Sequence, residues 1–524
     1  MDDTVTAAKR YDALAPDREP FLKRARDCSQ LTIPFLVPPE GSGSSTTYTT
    51  PYQSFGARGV RTLSSKLLIS LFPTNTPFYR YAMDDLTVEN LGTQRGEVEK
   101  ALSARERATM TEIEAAAFRP VAYTTFQHLV VAGNFLLNVP VDGGPARGFR
   151  LDQYVVKRDP WGNLLEIVVK ETLSPGSLPE DVRSQVIAKM DGEVPKEGAD
   201  TRTVDLYTHI YLDAKIGKYV VYQEAAGIRL SGDGTYTPDD LEWLPLRLAS
   251  QPGEDYGRSY VEEYLGDLDS LEGLTQTLVE GSAASARVVF LVSPNGVTNL
   301  KVVANASNGD VVSGEANDVS TLQVNKQADL AVAKEFAQEI SQRLSYAFLM
   351  SSAIQRNGER VTAEEIRVMA SDLDDALGGV YTLQSATFQL PVVRLFEKRM
   401  EKRTKAPPLP EDLVKPVIVT GMAAIGRGND QTNLRTFLTD MAQVFGPEVL
   451  GNMINPAEAM SRAAASYGVD PNNLVKTQDQ LASTDQQAQL MALVQQLGPN
   501  AVNQLGNMGT KAMDMAAPAQ GPNG

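Results

Sequence analysis

The sequence predicts a mixed α/β (α+β), helix-rich fold, and three patterns along the chain indicate this class. Apolar residues recur at helical spacing within residues 261–281 and again within 327–350. Between about 150 and 250, apolar and polar residues instead alternate as they do in half-buried strands. The chain is therefore expected to combine long helices with a β-rich unit.

Length and composition are those of a folded protein without disulfides. The 524 residues can hold two to four domains, and 42% apolar with 22% charged residues is ordinary for a globular chain. Cys28 is the single cysteine, so no intrachain disulfide can form, which suits a reducing cytoplasm. The polar, acidic start lacks signal-peptide features, and no run of about 18 apolar residues predicts a transmembrane helix. We expect a protein kept in the cytosol or in a particle assembled there.

Before residue 150 the predicted elements are mainly helical. The segment 31–53 is rich in Pro, Gly, Ser and Thr and is predicted to be an extended loop. Helical patterns occupy 1–30, 54–73 (stopped by Pro73), 89–118 and 120–140, and the last of these runs into a strand.

The β-rich unit begins with two predicted strands around a tight turn. The turn is the run DPWGN, from Asp159 to Asn163, between the apolar runs YVV and LLEIVV. Alternation continues in TVDLYTHIYL (203–212) and KYVVYQEAAGIRL (218–230), which are also predicted to be strands.

A long helix with one acidic side is predicted at 261–281. Its apolar stripe consists of Val261, Tyr264, Leu265, Leu268, Leu271, Leu274 and Leu278. Its other faces carry Glu262, Glu263, Asp267, Asp269, Glu272 and Glu280. No Lys or Arg occurs between Arg258 and Arg287, whereas an ordinary solvated helix mixes both signs of charge.

A small strand-rich lobe follows this helix, with predicted strands at 288–296 and 319–325. A second helix is predicted at 327–350, with a stripe of Leu330, Ala333, Phe336, Ile340, Leu344 and Phe348. A lobe held between two long helices is typical of a projecting tip.

The remaining segments are a polar break, a kinked helix and a low-complexity end. After the break at 351–361, Thr362 and Glu365 form a capping box that starts a helix running to about 403, with kinks predicted at Gly378, Gly379 and Pro391. The later segments are a linker (406–416), a strand (KPVIVTG), helices (430–465) and a Gln-, Met-, Ala- and Gly-rich end from about 478.

The net charge of −16 argues against tight general binding to nucleic acid, which needs a basic face. It is compatible with a surface past which DNA slides. The basic run FEKRMEKRTK (396–405) is interpreted as the solvated end of a long helix, with a contact to DNA or to a partner as the alternative.

No catalytic, metal-ligating or cofactor-binding residue is predicted. His128 and His209 lack ligand spacing with each other or with Cys28, and both are interpreted as structural. The sequence contains neither a Walker nucleotide-binding motif nor a nucleophile elbow. Two function classes nevertheless stay open as alternatives. One is a cytosolic oligomeric enzyme that uses some of the 65 acids, and the other, less favoured, is a nucleic-acid-binding regulator.

Six blocks of sequence carry a resemblance to a known family. They are TIPFL with TPYQSFGARGVRTLSSKLLISLFP (within 32–73), FQHLVVAGNFLL (126–137), YVVKRDPWGNLL with VDLYTHIYLD (154–165 and 204–213), YGRSYVEEYLGDLDSLE (256–272), KQADLAVAKEFAQEISQRLSYAFLMSSAIQRNGERVTAEEIRVMASDLDDALGGVY (326–381) and TGMAAIGRGND (420–430). In this order they resemble the head-to-tail connector (portal) proteins of T7-like podoviruses. Beyond about residue 470 the chain departs from that pattern.

The resemblance implies the portal fold, with wing, stem, clip and crown parts around a central channel. The implied parts are the N-terminal wing (1–256), first stem helix (257–285), clip (286–326), second stem helix (327–350), tunnel loop (351–361), long kinked wing helix (362–405), return strand and crown helices (406–477), and a C-terminal crown or barrel extension (478–524) whose end is expected to be disordered.

The resemblance also implies the function of a subunit in a dodecameric ring at one capsid vertex of the virion. Double-stranded DNA would be packaged and ejected through this ring, which assembles in the host cytoplasm. The implied partners are further copies of the chain, the terminase large subunit, scaffolding protein, major capsid protein, tail adaptor and tail tube proteins, internal core proteins and, weakly, the passing DNA. No cofactor and no membrane are implied.

Two candidate sites follow from this reading. Weak contacts to DNA are predicted for the tunnel-loop residues Gln355, Arg356, Asn357, Gly358, Glu359 and Arg360. An acidic stem face is predicted for Glu262, Glu263, Asp267, Asp269 and Glu272. These acids either face DNA or pair with basic residues of a neighbouring subunit, and the sequence leaves both alternatives open.

Overall fold

The computed structural model describes residues 6–43, 45–73, 78–83, 95–191, 203–230, 232–286, 289–322, 327–350, 379–405, 414–418, 441 and 443. The chain divides into two units, Met1–Ala423 and Ala424–Gly524. All described residues except Met441 and Gln443 belong to the first unit.

The helices of the described part range from one turn to more than six. In chain order they are α1 (Ala7–Gln30), α2 (Phe55–Leu71), α3 (Arg95–Ala115), α4 (Phe118–Ala132), α5 (Glu180–Asp191), α6 (Tyr260–Glu263), α7 (Leu265–Ser285), α8 (Leu300–Asn305), α9 (Gln327–Ala347), α10 (Val380–Gln384) and α11 (Leu390–Thr404). A π-helical turn, Ser385–Gln389, joins α10 to α11.

The described strands pair antiparallel in every sheet. They are β1 (Tyr79–Met83), β2 (Asn134–Asn138), β3 (Arg147–Phe149), β4 (Tyr154–Arg158), β5 (Leu164–Leu173), β6 (Val204–Asp213), β7 (Lys218–Ala225), β8 (Ile228–Arg229), β9 (Gly234–Tyr236), β10 (Trp243–Arg247), β11 (Val289–Val292), β12 (Val319–Leu322) and β13 (Val414–Ile418). The largest sheet has the order β4-β5-β6-β7-β8, with β9 also on β7. The others are β10-β2-β3, β1-β13 and β11-β12.

Phe72, directly after α2, lies at the centre of an aromatic cluster in the main core. Its ring packs against those of Phe78, Phe118, Phe126 and Phe388, with centroids 5.1 to 6.2 Å apart. All five rings are almost fully buried. Because these residues come from distant parts of the chain, the cluster ties α2, α4 and the π-helical turn into one core.

The N-terminal helix α1 joins the helical core to the large sheet. Thr6 caps its start by accepting a hydrogen bond from the backbone N–H of Lys9. Tyr11 packs on the sheet residues Val155 and Val168, whereas Leu22 belongs to the main core. The helix therefore fixes the position of the β-rich unit relative to the helices.

Several predicted elements agree with the structure. The helix predicted at 54–73 is α2, and the loop predicted before it contains no helix or strand in its described residues. Asp159 organises the predicted hairpin turn, because its carboxylate accepts hydrogen bonds from the backbone N–H groups of Trp161 and Asn163.

The helix predicted from 257 to 285 is divided into α6 and α7. Ser259 caps α6, and the helix stops at Tyr264, whose φ of −110° and ψ of 12° are not helical. Tyr264 packs against the rings of Tyr260 and Phe348, with centroids 5.2 and 5.8 Å away. The break thus places an aromatic side chain under the end of α9, a long-range contact that helical periodicity does not encode.

The helix predicted at 362–405 is described only from Gly379 onward. Gly378 lies outside the described residues, and Gly379 has an ordinary φ of −65° where it precedes α10. The irregularity in the described part is the π-helical turn just before Pro391. Proline has no N–H to donate, so a local change in hydrogen bonding next to it is expected.

Candidate functional site

The two long helices α7 and α9 pack against each other and are the candidate stem. Leu268 and Leu271 of α7 are buried, as are Ile340 and Leu344 of α9. Nearer the lobe, Gly281 faces Leu330, and a Cβ on this glycine would lie 3.0 Å from Leu330 Cδ2. The absence of a side chain at Gly281 therefore allows the helices to approach closely.

The end of α9 is anchored to α2 and α6. The hydroxyl of Tyr260 donates to the carbonyl of Ala347 over 2.8 Å, and the buried amine of Lys66 donates to the carbonyl of Leu349 over 2.9 Å. Leu349 has a left-handed φ of 54°, which ends the helix. A cation beside a helix C-terminus is favourable because the carbonyls there carry partial negative charge.

The predicted tunnel loop follows this anchored end. All six of its candidate DNA-contacting residues, from Gln355 to Arg360, lie outside the described residues. Their contact with DNA stays a prediction.

Three of the five acids predicted for the stem face have partners within the same chain. Glu262 forms ion pairs with Arg24 at 3.1 Å and Arg258 at 3.2 Å. Asp267 pairs with Arg343 of α9 at 3.0 Å. Arg258 lies only four residues before Glu262, but Arg24 is 238 residues from Glu262 (262 − 24) and Arg343 is 76 residues from Asp267, so no local pattern could have identified these two partners.

Glu272 contacts backbone rather than a cation. Its carboxylate oxygens accept hydrogen bonds from the N–H groups of Tyr52 (2.8 Å) and Gln53 (3.0 Å). The extended segment 45–53 is thereby tied to α7. Glu263 and Asp269 are exposed and have no hydrogen-bond or ion-pair partner among the described residues, so these two acids are available to a partner.

The lobe between α7 and α9 is a two-stranded sheet, β11 with β12, plus the short helix α8. Asp318 organises it by accepting hydrogen bonds from the N–H (3.0 Å) and hydroxyl (2.9 Å) of Thr298. Apolar side chains exposed on this lobe are Phe290, Leu291, Val297, Leu300, Val302, Val311 and Val312. Such a concentration of exposed apolar surface is typical of an interaction site.

His209 lies in a buried polar cluster on the large sheet. Its Nε2 is 2.7 Å from Glu166 Oε1 and its Nδ1 is 2.8 Å from the Tyr222 hydroxyl, while Arg10 also pairs with Glu166. Burial raises the pKa of Glu166, but hydrogen bonds from Arg10 and His209 outweigh it and lower this pKa to about 2. Burial raises the pKa of Tyr222 to about 12.

These pKa values favour a structural role for the cluster. A nucleophilic Tyr222 would need a lowered pKa, and a carboxylate with a pKa near 2 is a poor general base at neutral pH. The cluster ties α1 to the sheet, as expected for a structural His209. His128 is likewise buried, stacked on Phe135 with ring centroids 4.6 Å apart, and burial lowers its pKa to about 3.

The basic run 396–405 is less free than its sequence suggests. Arg399 and Arg403 both pair with Glu112 at 2.8 Å, and Lys402 pairs with Asp142 at 2.7 Å. This end of α11 therefore contacts α3 and the loop after β2 by ion pairs, while Lys402, Arg403, Thr404 and Lys405 stay exposed, as predicted for a solvated helix end.

The described residues show neither a metal site nor a membrane-spanning helix. They contain no group of three or more His, Cys, Asp or Glu side chains arranged to hold a metal ion. In the same residues, no helix is both long and apolar enough to cross a membrane.

Comparison with known proteins identifies the family to which the chain belongs. Residues 4–475 match the family model described as bacteriophage head to tail connecting protein. The chain is 42% identical to the portal protein of Escherichia phage T7 over 90% of this chain and 88% of that protein. It is 41% identical to the portal protein of Enterobacteria phage T3 over 98% and 95% of the two chains, and 30% identical to that of Enterobacteria phage SP6 over 83% and 82%. With a match of this length, on a chain whose long helix pair and apolar lobe suit a projecting tip, the protein belongs to the bacteriophage head to tail connecting protein family.

Proposed function

We propose that this chain is one of twelve subunits of a ring at one capsid vertex, and that double-stranded DNA enters and leaves the head through the channel of this ring. Family membership supports the connector function. The observation that best supports assembly into a ring is the exposed apolar side of α9, formed by Val332, Phe336 and Tyr346. In a ring of identical subunits, each subunit would cover this surface of its neighbour through the same repeated contact.

Within this ring, α7 and α9 would be the stem, and the β11-β12 lobe would be the clip. The parts before residue 257 would form most of the wing. The exposed apolar side chains of the lobe support a role in protein contacts, since water is an unfavourable neighbour for them. Scaffolding protein, major capsid protein and internal core proteins would meet the ring inside or at the shell, and tail adaptor and tail tube proteins would meet the clip.

The charge of the chain fits DNA that slides rather than binds. Each subunit carries a net charge of −16, so a ring repels the phosphates, which supply about one negative charge per 1.7 Å of duplex. The sequence has no Walker motif, so a terminase bound in trans would supply the energy for packaging.

Weak contacts from the tunnel loop would guide the DNA. We expect phage particles with both Arg356→Ala and Arg360→Ala to package less DNA, or to retain it less well, than particles with both Lys215→Ala and Lys218→Ala, two exposed sites in the β6-β7 hairpin. Wild-type yield and retention in the double arginine variant would remove this role from the loop.

The mass of the purified particle tests the proposal as a whole. Twelve copies of the 56.8 kDa chain have a mass of about 680 kDa, and electron microscopy of the same sample should show a ring with an axial hole. Phe336→Asp should shift the particles to smaller species, whereas Lys334→Asp, on the same helix, should change the mass less. A compact particle of one to four subunits without a hole would contradict the proposal and favour the oligomeric enzyme instead.

A further inference from the structure

A cavity of about 420 Å³ opens between β10, the turn of the β4-β5 hairpin and α11. Its volume lies in the range of about 300–1,000 Å³ that is usual for small-ligand sites. Trp243, Leu244 and Leu395 supply apolar wall, and the guanidinium groups of Arg158 and Arg247 supply positive charge.

The two guanidinium groups meet at Gly162, the glycine of the hairpin turn. Arg158 Nη1 donates to the carbonyl of Gly162 over 3.1 Å, and Arg247 Nη2 lies 3.2 Å from the position that a Cβ on Gly162 would occupy. The remaining hydrogen bonds of these groups go to the backbone carbonyls of Asp255, Pro245 and Glu254. These neutral carbonyls orient the arginines, and burial lowers the pKa of both more than the nearby charge of Asp255 raises it.

The carboxylates nearby are already engaged elsewhere. Asp255 accepts hydrogen bonds from the backbone N–H of Arg158 and from Lys157. Asp159 accepts hydrogen bonds within its own turn. Glu254 pairs with Arg258, and Asp239 pairs with Arg394. In the part of the chain that the structure describes, no carboxylate forms an ion pair with Arg158 or Arg247.

Two partly buried positive charges therefore share one cavity without an ion-paired carboxylate of their own among the described residues, while Asp239, which pairs with Arg394, also lines the cavity. Burial, followed by the charge of Arg247, lowers the pKa of Arg158 to about 10, and burial also lowers the pKa of Arg247. Both directions express the cost of holding these cations away from water, a cost that a bound anion would offset.

We propose that this cavity binds a carboxylate attached to an apolar group. The planar guanidinium edges present paired N–H donors that match the two oxygens of a carboxylate. Trp243 and the leucines beside it would contact the apolar part of the ligand, as in other sites that combine an apolar wall with few polar groups. This inference is independent of the ring, because every residue it uses belongs to one chain.

Tryptophan fluorescence gives a direct test on the full-length protein. The chain has two tryptophans, and Trp161 is 86% exposed on the hairpin turn, so Trp161→Phe leaves Trp243 in the cavity as the single reporter. We expect saturable binding of 3-phenylpropionate to this variant. The uncharged analogue 3-phenylpropanamide should bind at least about tenfold more weakly, because it cannot form the charge-assisted bonds.

Two further experiments test whether Arg247 supplies the positive charge and whether the carboxylate comes from a polypeptide or from a free organic acid. Adding Arg247→Gln should weaken 3-phenylpropionate binding about tenfold, whereas Arg229→Gln, on β8 outside the cavity lining, should leave it unchanged. Tighter binding of acetyl-leucyl-glutamate amide would assign the carboxylate to an acidic side chain of a polypeptide, and the reverse order would assign it to a free organic acid. Equal binding of the acid and the amide, or no saturable response to either, would overturn the proposal without recourse to an arginine variant.

Discussion

Gly59 of α2 lies directly against the ring of Phe348 at the end of α9. A Cβ at position 59 would be 2.6 Å from Phe348 Cγ, closer than any real carbon contact. Phe348 in turn packs on Tyr260 and Tyr264, so the glycine determines how closely the base of the candidate stem packs against α2. This close packing requires both the absence of a side chain at position 59 and the large ring at position 348.

Gly59→Ala is therefore expected to destabilise the protein by about 1–3 kcal/mol, because the ring of Phe348 must move out of a packed core. Urea denaturation followed by circular dichroism would measure this loss. Gly273→Ala in α7 is the matched control, since nothing lies within 4 Å of a Cβ there, and alanine favours a helix interior. Equal stability of Gly59→Ala and wild type would show that Phe348 is free to shift.

The Arg10–Glu166 pair predicts a loss of stability in acid. Glu166 has a pKa of about 2 in the folded chain against an ordinary value of 4.5, so its stabilisation is present above pH 4.5 and is lost as the pH falls toward 2. Glu166→Gln should lower stability by about 3 kcal/mol at pH 7 and progressively less below pH 4.5. Urea denaturation at pH 7, 5 and 3 would measure the difference.

Glu171→Gln is the control for this experiment. Glu171 lies on the same strand but pairs with Arg147, whose side chain is 56% exposed, and exposed pairs contribute at most about 1 kcal/mol. If Glu166→Gln were no worse than Glu171→Gln at pH 7, the buried pair would not be the anchor of α1.

His128 predicts a second, higher pH window. Its pKa of about 3 in the folded chain lies below the ordinary 6.5, so the unfolded chain binds a proton first and stability falls as the pH drops from 6.5 toward 3. The slope is about 1.4 kcal/mol per pH unit. His128→Phe should keep the stacking on Phe135 and remove this slope between pH 6.5 and 4.5, and identical slopes in variant and wild type would refute the assignment.

Glu272 is expected to hold the segment 45–53 against α7. Glu272→Ala removes the acceptor of two backbone N–H groups, so the segment should open more often and chymotrypsin should cut after Tyr48 or Tyr52 about tenfold faster. Asp269→Ala, which removes a charge without a partner among the described residues, should leave the cleavage rate unchanged. Equal rates in the two variants would mean that other contacts hold the segment.

Local pattern predicted the parts of this protein that depend on neighbouring residues. Helix α2, the β4-β5 hairpin with its Asp159 turn, and the apolar stripe of α7 follow from spacing and turn chemistry. The stripe predicted for α9 is buried at Ile340, Leu344 and Phe348, but its member Phe336 is exposed, because periodicity cannot tell which part of a stripe a neighbouring helix covers. The six sequence blocks, which occur in the same order as in the family, indicated the connector family, and the family model confirmed it.

Tertiary structure decided every feature that joins distant residues. The break at Tyr264, the pairing of Glu262 with Arg24 and the approach of Gly59 to Phe348 each depend on residues far apart in the chain. Arg158 and Arg247 are likewise 89 positions apart in sequence (247 − 158), and only the packing of β10 against the hairpin turn brings their charges into one cavity. Periodicity reports which face of an element is buried, whereas the partner on that face is chosen by the packing of the whole chain.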